Sequence, residues 1–304
     1  MEKYKVLSNS VKIPVIGYGT PIVLTYLYSG NVNKIKIAKY WIKNYLKNKR
    51  QYRLDKSMKV ILNKLADVEC HMIDTSRAYA GSERCIGRML HSKNREDYFV
   101  ITKLSNSDQI KGDIRKALMK SLEEMQTEYV DLYLMHWPVT ETFLEAWKEM
   151  EKLYEEGLCK AIGVANCNIH HLEKIKQNAK IMPMVNQFEC HPLFTQNELR
   201  EYCISNNIQI MAYTPTARMD ERLKKTCLVD IAKVHHKSVA QIILRWHIQL
   251  GNIPIVNTSK IEHLKENFKV FDFCLSEEEM QKITDININS RLRYDPDNCD
   301  FTKL

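Results

Sequence analysis

Along the chain, short apolar runs rich in β-branched residues alternate with longer stretches whose apolar positions recur every three to four residues. The runs at 15–19, 71–74, 99–103, 130–136, 161–165, 184–187, 209–213 and 254–257 have the length and composition of buried strands. The longer stretches predict amphipathic helices, and three open on a capping-box pattern: Thr142-Phe-Leu-Glu145, Ser238-Val-Ala-Gln241 and Ser276-Glu-Glu-Glu279. Alternation of strand and helix predicts parallel strands joined by right-handed crossovers. With no Gly/Pro/Ser-rich linker anywhere, the eight units predict one domain of the α/β class over residues 1–304, a single closed (β/α)8 TIM barrel. Ahead of it, Val6-Leu7 and Val11-Lys12-Ile13 flank Ser8-Asn9-Ser10 and predict an N-terminal β-hairpin.

One interval breaks the rhythm. Between the first and second strand runs lies an insertion at about 24–57, long for a βα loop. Ala38, Trp41, Ile42, Tyr45 and Leu46 share one helical face there, and Lys36, Lys39, Lys43, Lys47 and Arg50 the opposite one. The prediction is a basic amphipathic helix over 31–53. Packing on the barrel with a solvated lysine face is the preferred reading; a positive lip that attracts an anionic substrate is the second. Nucleic-acid binding is not expected, since a single basic helix is weak evidence for it.

Charge sharpens this point. The 304 residues carry a net +8, and the segment from Lys34 to Lys59 alone carries +9, so the rest of the chain is close to neutral. The N-terminal residues Met1-Glu2-Lys3-Tyr4-Lys5 show no secretory pattern. The most apolar stretch, 14–28, is interrupted by Gly17, Gly19 and Pro21 and is too short to cross a bilayer. The nine cysteines are scattered without a C-x-x-C pair, which predicts reduced, packed thiols, a cytoplasmic location and no zinc site. His170-His171 and His235-His236 are adjacent pairs, expected to diverge around a helix and so not to share a metal.

Candidate chemistry lies at the strand ends, because a parallel barrel builds its site from the C-terminal edges of its strands. Reading those ends gives Asp74, Lys103, His136, Asn166, Gln187, Tyr213 and the pair Asn257-Thr258. So many polar groups on one rim are costly unless paired or functional. The Gly17-x-Gly19 pair lacks a third glycine and carries little by itself.

The blocks around these residues resemble the aldo-keto reductase family. Ile73-Asp-Thr-Ser-Arg-Ala-Tyr79 followed by Gly-Ser-Glu-Arg-Cys-Ile-Gly is similar to its signature. Ile101–Leu104, Asp131–Pro138, Gly163–Asn168, Asn186–Pro192, Ala212–Pro215 and Lys265–Met280 resemble later blocks in the same order. The resemblance covers about 5–297 apart from the insertion, and is to a bacterial-type member with an enlarged first loop. It implies a catalytic tetrad of Asp74, Tyr79, Lys103 and His136. Tyr79 would protonate the alkoxide formed by hydride transfer, Lys103 would lower the tyrosine pKa, Asp74 would hold Lys103, and His136 would orient the carbonyl. It also implies an NADPH site, with NADH a second option, built from Gly19, Thr20, Asp74, Asn166, Gln187, Tyr213, Thr214, Asn257, Thr258, His263, Glu266 and Asn267. Substrate would meet Tyr79, His136 and Trp137. Asn257 and His263 stand where the family commonly has Lys and Arg around the 2′-phosphate, which weakens the expected preference for NADPH over NADH. Ala165 replaces a frequent serine, and no Trp follows Gly19-Thr20.

The expected function is an oxidoreductase that reduces a small carbonyl compound, anionic under the lip reading, or runs the reverse reaction. The alternative is a nicotinamide-binding regulatory subunit with the same fold and little turnover. A barrel metallohydrolase is disfavoured, since no H-x-H closes an early strand. A monomer or weak dimer without membrane attachment is expected.

Overall fold

The computed structural model describes residues 2–21 and 58–303. The basic insertion, including its proposed helix, lies outside the described residues.

A two-stranded antiparallel hairpin comes first: β1 (Tyr4–Val6) and β2 (Lys12–Pro14), with Lys5 opposite Ile13. Leu7 and Val11, expected within these strands, close the turn instead, the Leu7 amide donating to the Val11 carbonyl at 2.9 Å. The barrel strands follow: β3 (Gly17–Gly19), β4 (Met72–Asp74), β5 (Phe99–Leu104), β6 (Leu132–Met135), β7 (Ile162–Ala165), β8 (Val185–Glu189), β9 (Gln209–Tyr213) and β10 (Ile253–Val256). They pair in parallel in chain order, and β10 closes on β3. A parallel strand is covered by helices outside and by side chains inside, so its sequence reads as a continuous apolar run. β5, β6 and β7 are buried throughout for that reason.

Boundaries differ modestly from those expected. Val130 makes only an isolated bridge to Cys159, and β6 starts at Leu132. The intervening Asp131 is tied through its carboxylate to the Val100 amide at 2.9 Å and Arg95 at 2.7 Å. The glycines of β3 have a packing explanation: a Cβ at Gly17 would lie 2.7 Å from Met72 Cε, and one at Gly19 would lie 2.8 Å from Ile255 Cγ2. The Gly-x-Gly pair makes room for its neighbours' side chains at this point of the barrel.

Ser238 and Ser276 each accept from, and donate back to, the residue three places on, as expected of capping boxes. Thr142 does not. It precedes the helix Phe143–Glu155 without a side-chain cap bond, and its hydroxyl accepts from Gln109 Nε2 at 3.4 Å.

After the last helix, Glu277–Thr284, the chain returns across the catalytic rim. The Ser290 amide donates to the Leu193 carbonyl, and those of Leu292 and Arg293 donate to the two oxygens of buried Glu189 at 2.7 and 3.0 Å. Farther on, Asp297 Oδ2 accepts from Asn168 at 2.7 Å, the Phe301 carbonyl accepts from Asn106, and the Phe301 ring lies 6.4 Å from that of Trp137. This strap therefore touches the loops after β5, β6 and β7 and the end of β8. Among the described residues no helix is long and apolar enough to cross a membrane.

Candidate active site at the C-terminal rim

Asp74 is the last residue of β4, and Lys103 lies one place before the end of β5. Parallel pairing brings the two strands side by side, and Lys103 Nζ reaches both Asp74 carboxylate oxygens at 2.7 Å. Its third donor goes to the Thr75 carbonyl at 2.8 Å. All three ammonium protons are thus used, the condition under which a buried ion pair is tolerable. Gln187 Nε2 donates to Asp74 Oδ1 at 3.2 Å, so β8 joins the same cluster.

Tyr79 sits in the loop after β4, held by a turn in which its amide donates to the Ser76 carbonyl at 2.9 Å. Its ring centre lies 5.5 Å from Lys103 Nζ and 5.8 Å from the His136 ring, edge to face. The fold therefore brings Asp74, Tyr79, Lys103 and His136 together. One expectation is corrected. Tyr79 was expected to have its hydroxyl pKa lowered by Lys103; it is raised, because burial outweighs the Lys103 charge and Asp74 acts against that charge. The phenol is protonated at neutral pH and so holds a proton it can give.

His136 follows β6, part of its edge exposed in otherwise dense surroundings. Burial, then the Lys103 charge, push its pKa down to about 3. The ring is neutral at working pH, so one nitrogen donates and the other accepts. Ser76 lies against that ring: its hydroxyl oxygen accepts from the Ala78 amide at 3.1 Å and sits 3.4 Å from His136 Nδ1. Sequence reading gave Ser76 no role; the available signal was a hydroxyl two residues after Asp74. The expected pH profile of turnover lacks a limb near 6.5, the ordinary histidine value. A limb there that disappears in His136→Gln would mean that His136 titrates in this range.

Two more expected residues meet across the rim. Asn166, left-handed at φ 61°, donates to the His136 carbonyl at 2.9 Å and accepts from the Tyr213 hydroxyl at 2.7 Å. Asparagine tolerates that backbone region because its short side chain can bond locally. The bond to Asn166 also fixes the half-buried Tyr213 ring at the end of β9. On the β3 side, Thr20 donates from its amide to the Asp74 carbonyl and from its hydroxyl to Thr75, and Asn257 Nδ2 bonds the Gly19 carbonyl at 2.6 Å.

The remaining expected residues lie toward the edge. Thr214 is left-handed at φ 52° and begins a loop in which Ala217, Arg218 and Met219 are left-handed in succession. Thr258 caps its own turn by accepting from the Lys260 amide. On helix Ile261–Phe268, His263 and Lys265 are exposed, and Glu266 and Asn267 are partly so. Lys260 and Lys265 form no ion pair among the described residues. Trp137 is buried between the His136 and Phe301 rings.

The adjacent histidines correct a second expectation. His235 pairs with Glu279 while His236 is exposed, so that pair diverges. His170 and His171 instead stack with ring centres 3.9 Å apart, and a nitrogen of each lies within 4.8 Å of Asp297. They occupy the first turn of helix Ile169–Asn178, where His171 folds back so that Nδ1 accepts the Asn168 amide at 3.2 Å. That bond leaves the proton on Nε2, so His171 is not presented as a metal ligand. The cluster is a polar tie, with His170 Nε2 3.2 Å from Asp297 Oδ1.

The sequence profile described as "Aldo/keto reductase family" matches residues 44–288. A 9,11-endoperoxide prostaglandin H2 reductase of Trypanosoma cruzi is 45% identical over 230 residues, 74% of this chain and 81% of its own. The glyoxal reductase of Bacillus subtilis is 43% identical over 75% of this chain and 83% of its own. An aldo-keto reductase from a deep-sea metagenome library superimposes with a TM-score of 0.83 at 33% identity, covering 99% of this chain and all of that one. A Bombyx mori aldo-keto reductase solved with NADP gives 0.81 at 27% identity, covering 97% and 95%. Matched length, identity and barrel agree, and the chain is a member of the aldo/keto reductase family.

Proposed function

We propose that the protein is an NADPH-dependent reductase of small carbonyl compounds in which Tyr79 is the proton donor. The observation that carries this reading is the Asp74–Lys103 pair lying beneath a protonated Tyr79 and a neutral His136. When bound, the reduced nicotinamide supplies the hydride. The rim is suited to hold its carboxamide: Gln187 spends its amide nitrogen on Asp74, which leaves its oxygen to accept, and Asn166 retains a lone pair beside the fixed Tyr213 ring.

The substrate oxygen sits between Tyr79 and His136. His136 donates a neutral hydrogen bond to it and orients the carbonyl. As charge develops, Tyr79 passes its proton to that oxygen, and Lys103 stabilises the phenolate left behind. Asp74 fixes Lys103 through both carboxylate oxygens, and Trp137 lines the substrate side. Relatives named for glyoxal and methylglyoxal reduction support small dicarbonyl substrates. The test is oxidation of NADPH, followed at the nicotinamide absorbance band, with methylglyoxal as substrate; absence of turnover across a carbonyl panel would return the protein to the alternative of a nicotinamide-binding subunit. The complete tetrad disfavours that alternative. A cytoplasmic location fits the scattered cysteines, six of which are buried, and a monomer or weak dimer is our reading of the assembly.

Cofactor choice has its own prediction. Asn257 and His263 provide no fixed cation for the 2′-phosphate, and exposed Lys260 and Lys265 are the nearby substitutes. Asn257→Lys with His263→Arg should raise the NADPH-over-NADH ratio of kcat/KM by about tenfold, the scale of one added hydrogen bond to a charged group. The ratio is the proper readout, since losing the Asn257 bond to Gly19 affects both cofactors alike. An unchanged ratio places phosphate recognition elsewhere.

A further inference from the structure

Just before Tyr79 stands an arginine that ties together the two chain segments supplying the catalytic groups. Tyr79 lies on the loop between β4 and the helix Ser82–Leu90, whereas Lys103 lies near the end of β5, which runs on into the short helix Asn106–Ile110. Arg77 reaches both. Its Nε donates to Asp108 Oδ2 on the second helix at 3.2 Å, and its Nη1 lies 3.5 Å from Glu83 Oε2 on the first. Its amide donates to the Lys103 carbonyl at 3.3 Å.

Both carboxylates are themselves fixed. Asp108 Oδ2 also accepts from Ser105 Oγ at 2.6 Å, and that serine caps the helix by accepting from the Asp108 amide at 3.2 Å. Glu83 is fully buried, and its Oε1 accepts from Thr102 Oγ1 on β5 at 2.6 Å. A guanidinium is a rigid planar fork, so a side chain that meets one carboxylate through Nε and another through Nη1 sets the separation of the two. The Arg77 side chain is only 16% exposed, which keeps salt and water from screening the bridge as they would a surface pair. Beyond Arg77 the backbone bonds of the loop are internal: the Tyr79 amide donates to the Ser76 carbonyl, and the Ser82 amide to the Tyr79 carbonyl. The half of the loop that carries Tyr79 is therefore held against β5 by side chains, Arg77 to Asp108 and Glu83 to Thr102.

We propose that Arg77 is a positioning residue for proton transfer: by bridging Asp108 and Glu83 it sets the place of the Tyr79 hydroxyl relative to Lys103. This rests on the reductase reading above. The charge of Arg77 is engaged by the two carboxylates, so its effect on Tyr79 is one of placement and falls on kcat rather than on binding.

The test is steady-state kinetics of the full-length protein with methylglyoxal and NADPH, alongside cofactor Kd from quenching of protein fluorescence and Tm from thermal denaturation. Arg77→Met keeps the stem and removes the fork. It should lower kcat by about tenfold, below the 10²-fold or so that a displacement of about 1 Å can cost, with KM and cofactor Kd within about twofold of wild type. Arg77→Lys should recover part of the loss, since an ammonium lacks the fork that meets both carboxylates at once. Asp108→Ala, which leaves the Ser105 cap on its amide, should reproduce the fall in kcat, and joining it to Arg77→Met should add little, as expected of residues that act as a unit. A lowered Tm with kcat unchanged, a rise in KM and cofactor Kd matching the loss in kcat, or full additivity of the two substitutions would each overturn the proposal. Should Arg77→Met fail to fold, Asp108→Ala carries the same kcat criterion with Glu83 still paired. No wild-type turnover of any carbonyl compound is a separate outcome, which would sink the reductase reading and this inference with it.

Discussion

Tyr79→Phe should lower kcat by about 10²-fold or more, the range set by loss of a positioned general acid. The substitution removes one oxygen and keeps the ring, so edge-to-face packing on His136 at 5.8 Å survives. Cofactor affinity should hold, because the amides proposed to grip the carboxamide, Asn166 and Gln187, are anchored to His136, Tyr213 and Asp74 rather than to Tyr79. The measurement is single-turnover oxidation of NADPH alongside cofactor titration. Turnover within a few-fold of wild type would show that the proton comes from another group.

Lys103→Met should produce the largest combined effect on activity and stability. The side chain is fully buried, and its removal strands Asp74, itself only 4% exposed, without a counter-ion. Breaking a buried pair from one side costs about 3–5 kcal/mol. Protonation relieves a deserted carboxylate, so the deficit against wild type should be greatest at alkaline pH and shrink as the pH falls. Turnover should fall by about 10²-fold or more, because nothing then stabilises the Tyr79 phenolate. Adding Asp74→Asn to Lys103→Met separates the two roles: stability should largely return, and activity should not. A double variant as unstable as the single one would mean that the ammonium matters through Thr75 and packing rather than through its charge.

Much of this was legible in the sequence because it is local. β-Branched runs of four to six residues mark buried parallel strands, and the polar residue closing each marks the rim. The catalytic spacing lies within seven residues, 73–79. What could not be read depends on distant partners. Thr142 has a capping-box sequence, yet its hydroxyl is engaged by Gln109 on another helix. His170 and His171 diverge on an ideal helix, yet the Asn168 amide draws one ring back over the first turn. Tyr79 beside a lysine suggests an acidified phenol, yet depth and Asp74 reverse the sign. Ser76 lies against a histidine 60 positions away, and Glu189 holds amides more than 100 positions away. No windowed pattern contains such pairs.

The Glu189 grip has a consequence for which substitutions the chain tolerates. It recognises the amides of Leu292 and Arg293, which every residue but proline possesses, so the anchor is indifferent to the side chains it holds. The carbonyl chemistry proposed above is meanwhile drawn from β4, β5 and the loops after β4 and β6. Substitution along the strap should therefore leave proton transfer intact. Directed libraries placed at 293 and 294 should give a low rate of dead clones, whereas libraries at 189 should mostly give proteins whose final segment has come adrift.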